Sequence, residues 1–281
     1  MTDTPSIFGE RLRRDFALIS TLRGFFERDA FFLFKTLRDI NFQPSQPALE
    51  IGVFCGRSLT ALATLYPDVA VHGVDPFYAD FAASPAFTDE AELLRDKSAG
   101  QSPEARIAAI GAVLELLDRA NGTSLTANVR LHRQTEAEFY ATDPGRFQLI
   151  HIDADHSFAA VTASLDILPK TLLPGGWLVL DDFLNPGFPD ISEAVHTHRL
   201  FRAGLWPVVY AANKAVFVSG ETETAAQALR AAVASRFVDA GASVRRMHDG
   251  APMAELPALA RPQKRAKTLG QRLCRLFGAK P

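Results

Sequence analysis

Two short phrases of this sequence concentrate its ionisable side chains. The first is Ile152-Asp153-Ala154-Asp155-His156-Ser157-Phe158, at the end of the apolar run 149–153. The second, Asp181-Asp182-Phe183, closes the run 177–180. If these runs are neighbouring strands, Asp153, Asp181 and Asp182 meet over one cleft, where open α/β sheets bind ligands. Three carboxylates there repel one another, and the sequence sets no obvious cation beside them. A hard divalent ion resolves that conflict, and all-oxygen ligation suits magnesium. His156 titrates near neutrality and suits a general base, the alternative being a cap on the helix that follows. Asp155 suits the start of that helix. His151 lies inside the run and is expected to pack. Asn185, on a turn-rich loop, either orients a ligand or punctuates the loop. His196 and His198 are two apart and share no helix face.

A second chemical signal lies upstream, in Leu49-Glu50-Ile51-Gly52-Val53-Phe54-Cys55-Gly56-Arg57-Ser58. It reads as a strand, a glycine turn and a helix. Gly52 and Gly56 let the backbone approach a ligand, and the helix start offers free N–H groups, with Ser58 as a cap. The spacing is G-x-x-x-G. A dinucleotide pyrophosphate wants glycine where Phe54 stands, which argues against NAD and FAD. The next run, Val71-His72-Gly73-Val74-Asp75, ends in a carboxylate suited to ribose hydroxyls.

These groups need a sheet to position them. Apolar runs at 48–53, 69–74, 129–132, 149–153, 177–180, 208–211 and 215–218 read as buried strands alternating with helices. The expected fold is α/β: a doubly wound, mostly parallel seven-stranded sheet with helices on both faces. The last two runs are too close for a crossover and predict a terminal antiparallel hairpin. Residues 1–43 read as helical, with more phenylalanines than one stripe needs; they cover a core edge, or offer a substrate or dimer surface. Residues 80–122 form an insert with a helix over 105–120, placed as a lid. Residues 221–260 read as a helical extension, with a helix over 224–240 and a short excursion at 242–247. Residues 261–281 form a basic tail, either solvated or an amphipathic helix for an anionic membrane or a partner.

The 281 residues are 47% hydrophobic and 22% charged, which excludes wholesale disorder. A net charge of −2 leaves no nucleic-acid footprint. Two distant cysteines, Cys55 and Cys274, make neither a disulfide framework nor a zinc site. With no apolar span and no secretory signal, a cytoplasmic protein is expected.

Residues 50–58 and Asp75 resemble the cofactor motifs of class I S-adenosylmethionine-dependent methyltransferases. Glu-Ile-Gly-Val-Phe-Cys-Gly-Arg-Ser is similar to the corresponding phrase of caffeoyl-CoA-type O-methyltransferases, and sugar and natural-product O-methyltransferases carry an Asp-x-Asp-His-Ser-Tyr-like phrase. Here Phe158 replaces the Tyr. The resemblance covers residues 45–220 and makes residues 44–220 the cofactor-binding domain. It implies S-adenosylmethionine held by Glu50, Gly52, Val53, Gly56, Ser58 and Asp75, with Gln134 and Thr135 at the adenine. It implies magnesium at Asp153, Asp181 and Asp182, with Asp182 replacing an Asn of the family and His156 standing where the family has Lys. The reaction expected is O-methylation of a hydroxylated small molecule or glycan, with Asp153 and His156 catalytic. The alternatives are a nucleotide-cofactor oxidoreductase, against which Phe54 and the hairpin speak, and a noncatalytic methyltransferase-like binding protein.

Overall fold

The computed structural model describes residues 8–40, 45–79, 97–198, 204–220 and 222–257. The basic tail and the first part of the insert lie outside them. Two helices, α1 (Glu10–Ile19) and α2 (Arg28–Ile40), precede the sheet. Then follow β1 (Ala48–Ile51), α3 (Arg57–Leu65), β2 (Val71–Val74), α4 (Pro103–Asn121), α5 (Leu125–Asn128) and β3 (Val129–His132). The chain continues through α6 (Glu136–Ala141), β4 (Phe147–Ile152), α7 (Phe158–Thr171), β5 (Leu172–Leu180), α8 (Pro189–Thr197), β6 (Leu205–Ala211) and β7 (Lys214–Ser219). It ends with α9 (Glu223–Asp239), β8 (Ser243–Arg246) and β9 (Pro252–Glu255).

The strand order is β3-β2-β1-β4-β5-β7-β6-β9-β8. Strands β1 to β5 pair in parallel, and β7 runs antiparallel to both β5 and β6, as the hairpin reading expects. The reversal of strand order between β1 and β4 opens the crevice where such sheets take ligands.

Successive strand residues face opposite layers. Val179 joins one core with Phe31, Phe34, Leu62, Leu114 and Phe237. Its neighbours Leu178 and Leu180 join the other, with Leu165, Leu168, Ile191 and Val195. Burying each such side chain contributes about 1.5–3 kcal/mol. Two of the phenylalanines beyond one stripe pack within the chain: Phe31 on Phe8 and Phe16, and Phe32 edge-on against Phe237 of α9.

Two expectations are corrected. The segment read as a helical extension holds α9 and then two strands, which carry the sheet past the expected seven to nine. β8 is Ser-Val-Arg-Arg and mostly exposed, so it lacks the apolar run that marks a buried strand. The described helix of the insert, α4, packs against α1 and α3 and lines no part of the cleft.

Candidate functional site

A cavity of about 770 Å³ opens at the carboxyl ends of β1, β2, β4 and β5. Its size suits a cofactor and an acceptor together. Gly52 ends β1 at φ +88°, and a Cβ there would lie 1.8 Å from the Asp153 carbonyl oxygen. Only glycine lets these two strand ends touch. Phe54 also takes a left-handed φ of 52°. Asp75 holds that turn: its Oδ2 accepts the Val53 and Phe54 N–H groups at 2.9 and 2.8 Å, and its Oδ1 accepts Phe77 N–H at 2.5 Å. A carboxylate offers about four acceptor positions, so one remains for a ribose hydroxyl. Burial raises the Asp75 pKa against these three N–H bonds.

Of the residues expected at the cofactor, Gly52, Val53, Ser58, Asp75 and Thr135 line the cavity, while Glu50, Gly56 and Gln134 do not. Glu50 is fully buried, accepts Ser58 Oγ at 2.8 Å and lies 3.1 Å from His151 Nδ1. It braces the turn from behind. Ser58 therefore does not cap α3; Gly56, at φ +80°, is the N-cap. Thr135 caps α6 in a reciprocal capping box with Glu138. Burial pushes the Cys55 thiol up to about 11, so it stays protonated.

The acid phrases meet as their strand positions require. His156 Nε2 lies 3.9 Å from Asp153 Oδ1 and 3.7 Å from Asp182 Oδ2. The Phe188 ring stands against the imidazole, with centroids 4.2 Å apart. Asn185 and Asn213 both donate to Asp182 Oδ1. Asp155 accepts the Ser157 N–H at the start of α7. His151 is buried, its Nε2 3.9 Å from Asp181 Oδ2. His198 faces Asp166 instead of the site, 2.7 Å away.

One premise of the sequence reading fails: a cation does stand among the carboxylates. Lys214, from β7, is 3% exposed and ion-paired with Asp181 Oδ2. Asp181 Oδ1 accepts the Asp182 N–H at 2.8 Å. Burial would raise Asp181, but Lys214 and His151 outweigh it and hold the carboxyl at about 2. Burial and then the Asp181 charge raise Asp153 well above the usual carboxylate range, and the same two causes raise Asp182. Asp153, Asp181 and Asp182 thus do not fit a divalent ion as three free ligands. Among the described residues, the groups with ligand atoms within 4.8 Å of one another are Asp153, His156 and Asp182, and His151, Asp153 and Asp181.

Sequence reasoning missed three further features. Glu136 lines the cavity beside Thr135; Ser164 Oγ donates to its Oε2 at 2.8 Å, and its buried Oε1 has no partner among the described residues. Arg57 binds the segment before α2, donating to the carbonyls of Ser20, Leu22 and Phe26. That brings Arg23, Phe25, Phe26 and Glu27 to the cavity wall, with Phe25 stacked on Phe54. Lys214 is the third. Only Glu136, next to Thr135, had a signal in the sequence.

Residues 49–183 match a family model described as a methyltransferase domain. No curated protein matches the sequence. Among solved structures, the chain is similar to cofactor-bound Rv0187 from MTB, with 17% identity and a TM-score of 0.50, over 78% of this chain and 94% of that one. It is also similar to a putative caffeoyl-CoA O-methyltransferase from Staphylococcus aureus, with 18% identity and a TM-score of 0.49, over 76% and 92% of the two chains. TomG, an O-methyltransferase from Streptomyces achromogenes in complex with SAM, gives 16% identity and 0.46, over 76% and 91%. Residues 49–183 are thus similar to a methyltransferase domain, and they fold as the mostly parallel part of a sheet that an antiparallel hairpin continues.

Proposed function

We propose that this protein transfers the methyl group of S-adenosylmethionine to a hydroxyl oxygen of a small molecule or glycan. The observation that carries this reading is His156, held within 4 Å of Asp153 and Asp182 on a wall of the cavity that the glycine turn also lines.

The cofactor supplies a methyl group already activated on sulfur. The protein must align an oxygen with it and remove the hydroxyl proton. The glycine turn and Asp75 fit the nucleoside, and the unpaired Glu136 Oε1 fits an amino-group donor. His156 Nε2 takes the proton, and the Asp182 carboxyl, 3.7 Å away, favours the imidazolium so formed. Alignment of the two reactants in the cavity supplies several further kcal/mol. Asn185, Phe188 and Asn213 line the cavity around His156 and Asp182.

Magnesium is the second reading, favoured by the group Asp153, His156 and Asp182. When bound there it would acidify a hydroxyl, and His156 would become a ligand instead of the base. Calorimetric titration with S-adenosylhomocysteine, followed by transfer of a labelled methyl group to a panel of hydroxylated acceptors, tests the proposal. Micromolar binding and label on oxygen support it; no binding with or without magnesium overturns it.

A further inference from the structure

The hairpin between β6 and β7 turns on Ala212 and Asn213, both at left-handed φ of 53° and 64°. A two-residue turn of this kind fixes the register of its strands. Ala215 pairs with Leu180 across the β5–β7 ladder, so Lys214 stands opposite Asp181. Its ammonium is buried against the Asp181 carboxylate, with the Phe26 ring 5.8 Å away on its apolar side. The next residue back, Asn213, donates to Asp182. One tight turn therefore delivers a cation and an amide to the two carboxylates that close β5.

We propose that Lys214 is a built-in counter-cation, occupying the charge position a divalent ion would otherwise take, so that this acceptor site works without a bound metal. The proposal rests on the acceptor-site reading above. Lys214 offsets the Asp181 charge, with the Asp182 N–H on one carboxylate oxygen and the ammonium on the other, so Asp181 has less need of a divalent ion. It also places a like charge beside any divalent ion at Asp153 and Asp182, in a setting where repulsion greatly exceeds its value in water. The remaining ligands would include His156 at the cost of its proton-accepting nitrogen. Lys214 is thus a positioning residue: it holds Asp181 charged within the acid cluster that His156 faces.

The test is Mn2+ and Mg2+ titration of the EDTA-treated full chain, in wild type, Lys214→Met, Lys214→Gln and Lys214→Arg. Wild type and Lys214→Arg are expected to bind Mn2+ no tighter than about 1 mM, and the two neutral variants at least about tenfold tighter. Wild-type turnover is expected to survive EDTA. S-adenosylhomocysteine affinity, measured on the same samples, confirms that each variant is folded and reports the methyltransferase reading separately. If Lys214→Met does not fold, the neutral but polar Lys214→Gln carries the comparison. Stoichiometric micromolar Mn2+ binding by wild type, or equal affinity in wild type and the neutral variants, overturns the proposal.

Discussion

Gly52 lies directly against the backbone of Asp153: a Cβ at position 52 would overlap the Asp153 carbonyl at 1.8 Å. The glycine turn and the backbone that carries the Asp153 carboxyl are therefore parts of one contact between β1 and β4, and neither moves without the other. Gly52→Ala is expected to destabilise the protein by about 2–4 kcal/mol, from the overlap and the positive φ together, and to abolish S-adenosylhomocysteine binding. Gly111, inside α4 with nothing within 4 Å of an added Cβ, is the control. Gly111→Ala is expected to stabilise by about 0.5–1 kcal/mol. Urea unfolding of both variants checks the pair.

His156→Ala is expected to lower methyl transfer by about 10²- to 10⁴-fold while S-adenosylhomocysteine affinity stays within about threefold of wild type. Single-turnover kinetics beside calorimetry separate the two. Unchanged turnover would remove His156 from the reaction.

Glu136 presents a buried oxygen with no partner to the cavity, and Ser164 fixes the other oxygen. Glu136→Ala is expected to weaken S-adenosylhomocysteine binding about tenfold through loss of an amino-group contact. An analogue lacking the adenine amino group should bind the two proteins equally. If the variant still prefers the parent ligand by the wild-type ratio, Glu136 does not read that group.

His72 and His132 stack on the β2–β3 edge, with His132 Nε2 3.1 Å from His72 Nδ1. Burial, then His132 and Arg130, push His72 from its ordinary 6.5 down to about 4, and burial also lowers His132. With a folded value below the unfolded one, the unfolded chain takes up the proton first as pH falls. Stability is therefore complete above about pH 6.5 and declines below it, and the loss is finished near pH 4. Because His72 is half-buried, the loss it causes is discounted to about 1–2 kcal/mol. Chemical unfolding between pH 7 and 4 should show this decline in wild type and a shallower one in His72→Leu; parallel curves would rule out the pair as its source.

What the sequence determined by itself is local. The β1 turn is legible because Gly52 and Gly56 bracket a strand-to-helix change. The acid phrases are legible because each ends an apolar strand, and β3 falls on 129–132 as read. β5 is longer than its apolar run, since Leu173-Pro174-Gly175-Gly176 reads as a turn yet lies within Leu172–Leu180. The tertiary structure alone decided what those groups meet. Glu50 looks like a ligand residue beside Gly52, but alternation along β1 turns it away from the cavity, toward His151 of the neighbouring strand. Arg57 reads as an ordinary helix-start residue until folding brings the Ser20–Phe26 carbonyls across it. Lys214 stands more than thirty residues from Asp181, among apolar neighbours, with no local sign of a partner. Only the hairpin register brings its ammonium into the acid cluster, and that contact, absent from any window of sequence, sets the electrostatics of the site.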